Sequence, residues 1–357
     1  MQHYNDWPNA GAFNALQAQT QKAKLEVSGY FPNYLAGTLH RAGPGGYHIP
    51  RAECRDADFA CDHWFDGFSY LYRFELVPGR DVCSEVHYSS RCHVDGVIDT
   101  ARRTGRLEGL TFGQKRAMRD TFDNTTSTQP PPELTYASDP TNANIGVSIR
   151  EPMLCEMPDI KGQRKVLTFD ADTLEPLGIT RQVKMHPELK GQLSGAHAPH
   201  DPKTGIQQEL SHKQDFAVGS AAPSGEATRV LSILGSETGD LQMCNPNYLL
   251  RRHRYVWAAQ DSGKSSFFDG LVKTDTETKT SVVWSVDKHT PTKPFFIPAP
   301  NAQAEDEGAI LSIVYNGMTG TSYLLCLDAA TMKELGRAEV GAPVGIGFHG
   351  KHTPAAR

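Results

Sequence analysis

The chain has 357 residues, 38% of them hydrophobic and 22% charged, with a formal net charge of −5. That length suits one large β domain, and the composition supports a packed core and excludes global disorder. The acidic balance gives no electrostatic reason to expect a nucleic-acid partner.

The opening residues, MQHYNDWPNAGAFNALQAQTQ, hold neither a basic leader nor an apolar run, so no secretory signal is expected. No stretch reaches 18 apolar residues, so no spanning helix is expected either. The seven cysteines, Cys54, Cys61, Cys83, Cys92, Cys155, Cys244 and Cys326, are odd in number and widely spread. That pattern suits reduced thiols in a cytoplasmic protein rather than a disulfide framework. Cys54, Cys61 and His63 are close in sequence, but their spacing matches no common zinc pattern. The sequon at Asn124 carries little meaning without a signal.

Helical periodicity is weak, with residues 1–25 and 103–120 as the two candidate segments. FGQKRAMRDTF (112–122) mixes basic and apolar residues; a solvated helix and a membrane-surface segment are both open. Elsewhere short runs of β-branched and aromatic residues stand between Gly and Pro. SYLYRFEL (69–76), KVLTF (165–169), RVLSIL (229–234), RYVWAAQ (254–260), SVVWSV (281–286), AILSIVY (309–315) and SYLLCL (322–327) are predicted strands. TSTQPPPELTYASDPTN (126–142) reads as a loop inserted between strand units.

One internal repeat stands out. LTFDADTLEPLG (167–178) and LCLDAATMKELG (325–336) share the frame L-x-x-D-x-x-T-x-x-x-L-G. Each reads as strand, turn, strand, with the Asp carboxylate accepting a backbone N–H two residues on. DPKTG (201–205) and DTETK (275–279) look like weaker copies of the turn. A recurring strand–turn–strand unit predicts an all-β chain built as a β-propeller, with a β-sandwich of similar hairpins as the alternative. SGAHAPHDPKTG (194–205) sets His197 and His200 three apart before one of these turns. The residues alone leave open whether this is a metal ligand at a strand end or a polar loop.

The chain resembles the carotenoid cleavage oxygenases, especially their fungal members, over nearly its whole length. The resemblance rests on GTLHRAGPG (37–45), CDHWFDGFSYLYRFEL (61–76), TFGQK (111–115), the DADTLEPLG run, HPELKGQLSGAHAPHDPKTG (186–205), FFDGLVKTD (267–275), EDEGAILSIVYNG (305–317), SYLLCLDAATMKELGRAEV (322–340) and GFHG (347–350), in that order. It implies a single domain over 1–357, a seven-bladed propeller with one Fe(II) on its axis, and a reaction in which O2 cleaves a carbon–carbon double bond of a carotenoid, apocarotenoid or stilbene into two carbonyl products. Four histidines would hold the metal. Neutral imidazoles suit Fe(II), and carboxylates accepting their other ring N–H fix the tautomer.

By this resemblance His197 matches the first iron ligand, His349 the fourth, and Glu156 in LCEMPD a glutamate that orients a ligand. The second and third ligands have no match: His200, His212, His253 and His289 all stand among the wrong neighbours. Collinearity with the family breaks near SETGDLQMCN (236–245), as though middle blades were absent. Lys293 in TPTKPFFIP stands where the family carries a supporting glutamate, and a cation there cannot accept an imidazole N–H. Two readings follow: an Fe(II) dioxygenase of which this sequence is an incomplete version, or a truncated pseudoenzyme that binds an apolar ligand without cleaving it. An unrelated lactonase or hydrolase propeller is disfavoured, since no Asp/Glu cluster, G-x-S-x-G elbow or phosphate loop is present. The expected partners are an apolar polyene or stilbene and O2, with no nucleic acid. Peripheral contact with a membrane is compatible with such a substrate, and the cytoplasm is the expected location. The exact substrate and the oligomeric state are not legible.

Overall fold

The computed structural model describes residues 7–51, 58–107, 145–149, 153–158, 164–181, 233, 238–249, 251–347 and 349–355. In chain order the first strands are β1 (Ala23–Lys24), β2 (Glu26–Gly29), β3 (Gly37–Gly46), β4 (His48–Ile49), β5 (Phe59–Ala60), β6 (Phe68–Val77) and β7 (Glu85–Cys92), followed by helix α1 (Asp95–Thr104). Next come β8 (Ile145–Ile149), β9 (Met153–Pro158), β10 (Arg164–Phe169) and β11 (Pro176–Arg181). The remaining strands are β12 (Asp240–Met243), β13 (Tyr255–Gln260), β14 (Gly270–Asp275), β15 (Thr280–Trp284), β16 (His289–Pro291), β17 (Phe295–Pro298), β18 (Gly308–Asn316), β19 (Thr321–Asp328), β20 (Glu334–Glu339) and β21 (His349–Pro354).

These strands form propeller blades, four of them among the described residues. Their orders are β1-β7-β6-β3-β21, β11-β10-β9-β8, β12-β13-β14-β15 and β16-β18-β19-β20-β2, with β17 also on β18. Pairing within the blades is antiparallel throughout, as consecutive short strands joined by tight turns require. The two ends of the chain meet in the first and last blades, and the described sheets do not close into a ring. The C-terminal strand β21 pairs with β3 in the first blade, His349 lying opposite Ala42. At the outer rim, residues 23–29 serve two blades at once: β1 pairs with β7 of the first and β2 with β20 of the last.

The core explains the hydrophobic runs. β18 and β19 are buried on both faces because their blade is sandwiched between two others. Leu311, Ile313, Leu324 and Cys326 face the first blade's Leu39, Tyr72, Phe74 and Leu76. Ile310, Val314, Tyr323, Leu325 and Leu327 face the third blade's Trp257, Ala259 and Leu271. Side chains alternate sides with a period of two, so one strand supplies both interfaces. The outer strand β2 is exposed throughout.

The repeated turn has one geometry in four places. Asp170, Asp275 and Asp328 each accept backbone N–H bonds onto their carboxylates, from Thr173, Thr278 and Thr331 at 2.7, 3.2 and 2.8 Å. Asn316 plays the same part toward Met318 at 2.9 Å. In every copy the fifth residue donates its N–H to the first residue's carbonyl: Leu174, Lys279 and Met332 at 2.8 Å and Gly320 at 2.9 Å. Each fifth residue is left-handed, with φ of 61, 58, 58 and 74° respectively. DTETK is therefore the same turn as in the two repeated frames, and NGMTG (316–320) is a fourth copy with Asn in place of the Asp. DPKTG lies outside the described residues.

Six predicted strands match β6, β10, β13, β15, β18 and β19, while RVLSIL lies outside the described residues except for residue 233. The helical expectation needs correction. Residues 7–25 hold only a single 3-10 turn, Ala10–Phe13, and otherwise run extended across the blades. Of the segment 103–120, the described part holds the end of a helix that begins earlier, Asp95–Thr104, whose apolar stripe is Val97, Ile98 and Ala101. It stops because Gly105 takes φ 70° and donates its N–H back to Ala101. Residues 108–120 lie outside the described residues, as do the loop at 126–142 and Asn124.

Candidate metal centre

The innermost strands meet around β21. β8 of the second blade and β17 of the last blade both pack against it. His349 opens β21 and is 3% exposed, so the expected fourth ligand does stand buried on an innermost strand. The glycines of GFHG explain themselves by packing. A Cβ on Gly347 would lie 2.8 Å from the Ala42 carbonyl, and one on Gly350 would lie 2.7 Å from Cδ of Arg41. Only glycine lets β21 lie this close to β3.

Arg41 was not legible as a functional residue, and it dominates the neighbourhood. It lies opposite Gly350, is 1% exposed, and reaches between the first and last blades. Nη1 donates to Thr292 Oγ1 at 3.0 Å and to the Lys293 carbonyl at 3.3 Å, and Nη2 donates to the Gly347 carbonyl. Its guanidinium stacks on Phe295, 4.9 Å from the ring centre. Burial pulls it down to about 9, so it remains charged at neutral pH. Lys293 is buried beside it; burial, then the charge of Arg41, push its ammonium down to about 8. The available signal was an Arg inside an otherwise apolar and glycine-rich strand, GTLHRAGPG.

On the opposite side, His40 ties the first blade to the second. Its Nε2 lies 2.7 Å from the Ala171 carbonyl in the β10–β11 turn, which Arg73 Nε also reaches at 3.2 Å. Burial holds His40 down at about 4, because a charged imidazole would lose its hydration there.

The described residues hold only some of the other expected positions. Glu156 lies in β9, in register with Val166 of β10 and Ile145 of β8, and its backbone is all that is described. His197, His200 and His212 lie outside the described residues. His253 is exposed, its Nδ1 3.1 Å from its neighbour Arg251's carbonyl. His289 is buried in the last blade and bonds Tyr323 Oη at 2.8 Å. Among the described residues no three His, Cys, Asp or Glu side chains converge as a metal group would need. Among the described residues the site offers one imidazole on β21, His349, with the buried cations Arg41 and Lys293 close to that strand.

A family profile described as retinal pigment epithelial membrane protein matches residues 13–211 and 208–354. The chain belongs to that family, the carotenoid oxygenases. It is 24% identical to a carotenoid dioxygenase of Neurospora crassa, covering 99% of this chain and 92% of that one. It is also 24% identical to a torulene dioxygenase of Gibberella fujikuroi, over 99% and 95% of the two chains. Its fold matches a variant of the Synechocystis apocarotenoid oxygenase with a TM-score of 0.69 at 14% identity, over 99% of this chain and 100% of that one. The Neurospora alignment spans 578 positions against 357 residues here, so at least 221 of them have no counterpart in this carotenoid oxygenase. No helix among the described residues is long and apolar enough to cross a membrane.

Proposed function

We propose that this carotenoid oxygenase derives from an Fe(II)-dependent dioxygenase that splits a carbon–carbon double bond of a carotenoid, apocarotenoid or stilbene. Both atoms of one O2 end in the two carbonyl products, so the reaction needs no further reductant. Membership of the family carries this reading, and the names of the Neurospora and Gibberella relatives favour a carotenoid over a stilbene. In the complete site His197, His349 and Glu156 would belong to the metal centre.

A specific observation favours a second reading for the chain in its 357-residue form. Two buried cations, Arg41 and Lys293, stand beside β21, and at least 221 positions of the Neurospora alignment have no counterpart here; both support a reading in which the second and third metal ligands are missing. On this reading the propeller keeps its apolar-ligand surface and cleaves poorly or not at all. On this reading the break lies near the junction at 236–245. The site of action is cytoplasmic, with peripheral contact to lipid where the substrate dissolves.

The test is metal analysis of purified chain refolded with Fe(II), alongside a carotenoid cleavage assay. Substoichiometric iron and no aldehyde are expected. One iron per chain together with aldehyde product would overturn the non-cleaving reading and leave the dioxygenase.

A further inference from the structure

We propose that a small monovalent anion of the halide class is held beside β21 by the buried side chains of Arg41 and Lys293. Such a site depends neither on the polyene reading nor on bound iron.

Four Arg or Lys residues are buried among the described residues: Arg41, Arg73, Lys273 and Lys293. Two of them carry their own carboxylates. Arg73 pairs with Glu75 at 3.0 Å and with Asp172 at 3.1 Å, and Lys273 pairs with Asp306 at 2.5 Å. Arg41 differs. Its acceptors are the Thr292 hydroxyl and the carbonyls of Lys293 and Gly347, all neutral, and no described carboxylate pairs with it. Its Nε is enclosed and has no hydrogen-bond partner among the described residues.

A guanidinium has donors only, so an enclosed N–H without an acceptor loses its hydration and gains nothing in return. Lys293 adds a second buried charge close by, and the Arg41 charge pushes against its ammonium. One anion in contact with both offsets both costs, because each cation then has a counter-charge in a place where water does not screen the attraction. Enclosure sets the ligand class. Thr292 and Phe295, beside the pair, are buried as well, so the anion has to be compact. A halide accepts hydrogen bonds from any direction, which matches donors arriving from different segments: Arg41 from β3, and Lys293 from the link between β16 and β17. The anion also restores the negative charge that the family resemblance places at position 293.

The test is the thermal unfolding midpoint of the full chain as chloride replaces gluconate, a larger anion, at constant ionic strength, so that general screening does not change. Once the site begins to fill, the midpoint should rise by about 2 °C for each tenfold increase in chloride, and bromide should act alike. Lys293→Glu supplies the counter-charge covalently and should abolish the dependence. Lys264→Glu makes the same change of charge at an exposed position and should keep it. Where Lys293→Glu does not fold, Lys293→Gln takes its place and should need about tenfold more chloride for the same rise, as the loss of one of two charges predicts. A folded wild-type chain whose midpoint ignores chloride would overturn the site. So would a position-293 variant with the wild-type dependence, or a Lys264→Glu variant that has lost it. Iron content and cleavage bear on none of these outcomes, because the readout is stability alone.

Discussion

Replacing Lys279 by glycine should stabilise this protein, although it deletes an entire side chain. Lys279 is the fifth residue of its turn, held at φ 58° by its N–H bond to the Asp275 carbonyl, and it is exposed. An L-residue in that region carries about 1–2 kcal/mol of steric cost that glycine does not. Glycine returns about 0.5–1 kcal/mol of this through the greater freedom of the unfolded chain. The net expectation is a gain of about 0.5–1 kcal/mol. The same turn supplies its own control. Leu174 and Met332 have φ of 61 and 58° but are 1% and 4% exposed. Their removal would forfeit roughly 2–4 kcal/mol of burial, which outweighs the backbone relief. Leu174→Gly and Met332→Gly should therefore destabilise by about 1–3 kcal/mol. Urea unfolding of the three variants, compared at constant m-value, measures the effect. A destabilised Lys279→Gly, or three variants that all shift the same way, would refute the argument that backbone strain and burial separate at these positions.

Further outcomes follow from the buried polar groups. Arg41→Met leaves the Thr292 hydroxyl and the Lys293 and Gly347 carbonyls without their buried donor, so a loss of about 3–5 kcal/mol is expected in urea unfolding, and a loss under 1 kcal/mol would show that the guanidinium is dispensable. His40 titrates at about 4 when folded and at 6.5 as an unperturbed group, so the unfolded chain binds the proton first. Its stabilising contribution is full above pH 6.5 and is lost as the pH falls toward 4, by about 3 kcal/mol. His352 on β21, lowered by burial, adds to the same slope. Unfolding midpoints at three pH values across that window check the slope, and His40→Gln should flatten it. Asp328→Ala removes the acceptor of both the Thr331 N–H and its hydroxyl, at 2.8 and 2.6 Å, and should cost about 1–2 kcal/mol by the same assay.

Much of the architecture was legible because it is written in local patterns. A strand buried on both faces has to be apolar at consecutive positions, so AILSIVY and SYLLCL announce β18 and β19 without any tertiary knowledge. An Asp-initiated turn must satisfy its own backbone N–H groups, so the repeat at Asp170 and Asp328 marks the hairpins of two blades. That at least 221 positions of the Neurospora alignment have no counterpart here likewise depends only on which residues follow which. What the sequence could not decide were relations between distant segments. That residues 23–29 serve two blades, that Arg41 bonds to Lys293 and Gly347 across a blade interface, and that Phe13, Tyr47, Trp64 and Phe267 share one cluster all depend on long-range packing. The N-terminal segment shows the same limit from the other side. Its faint helical period lost to hydrogen bonds offered by three separate blades, because marginal local propensity yields wherever tertiary partners satisfy an extended backbone.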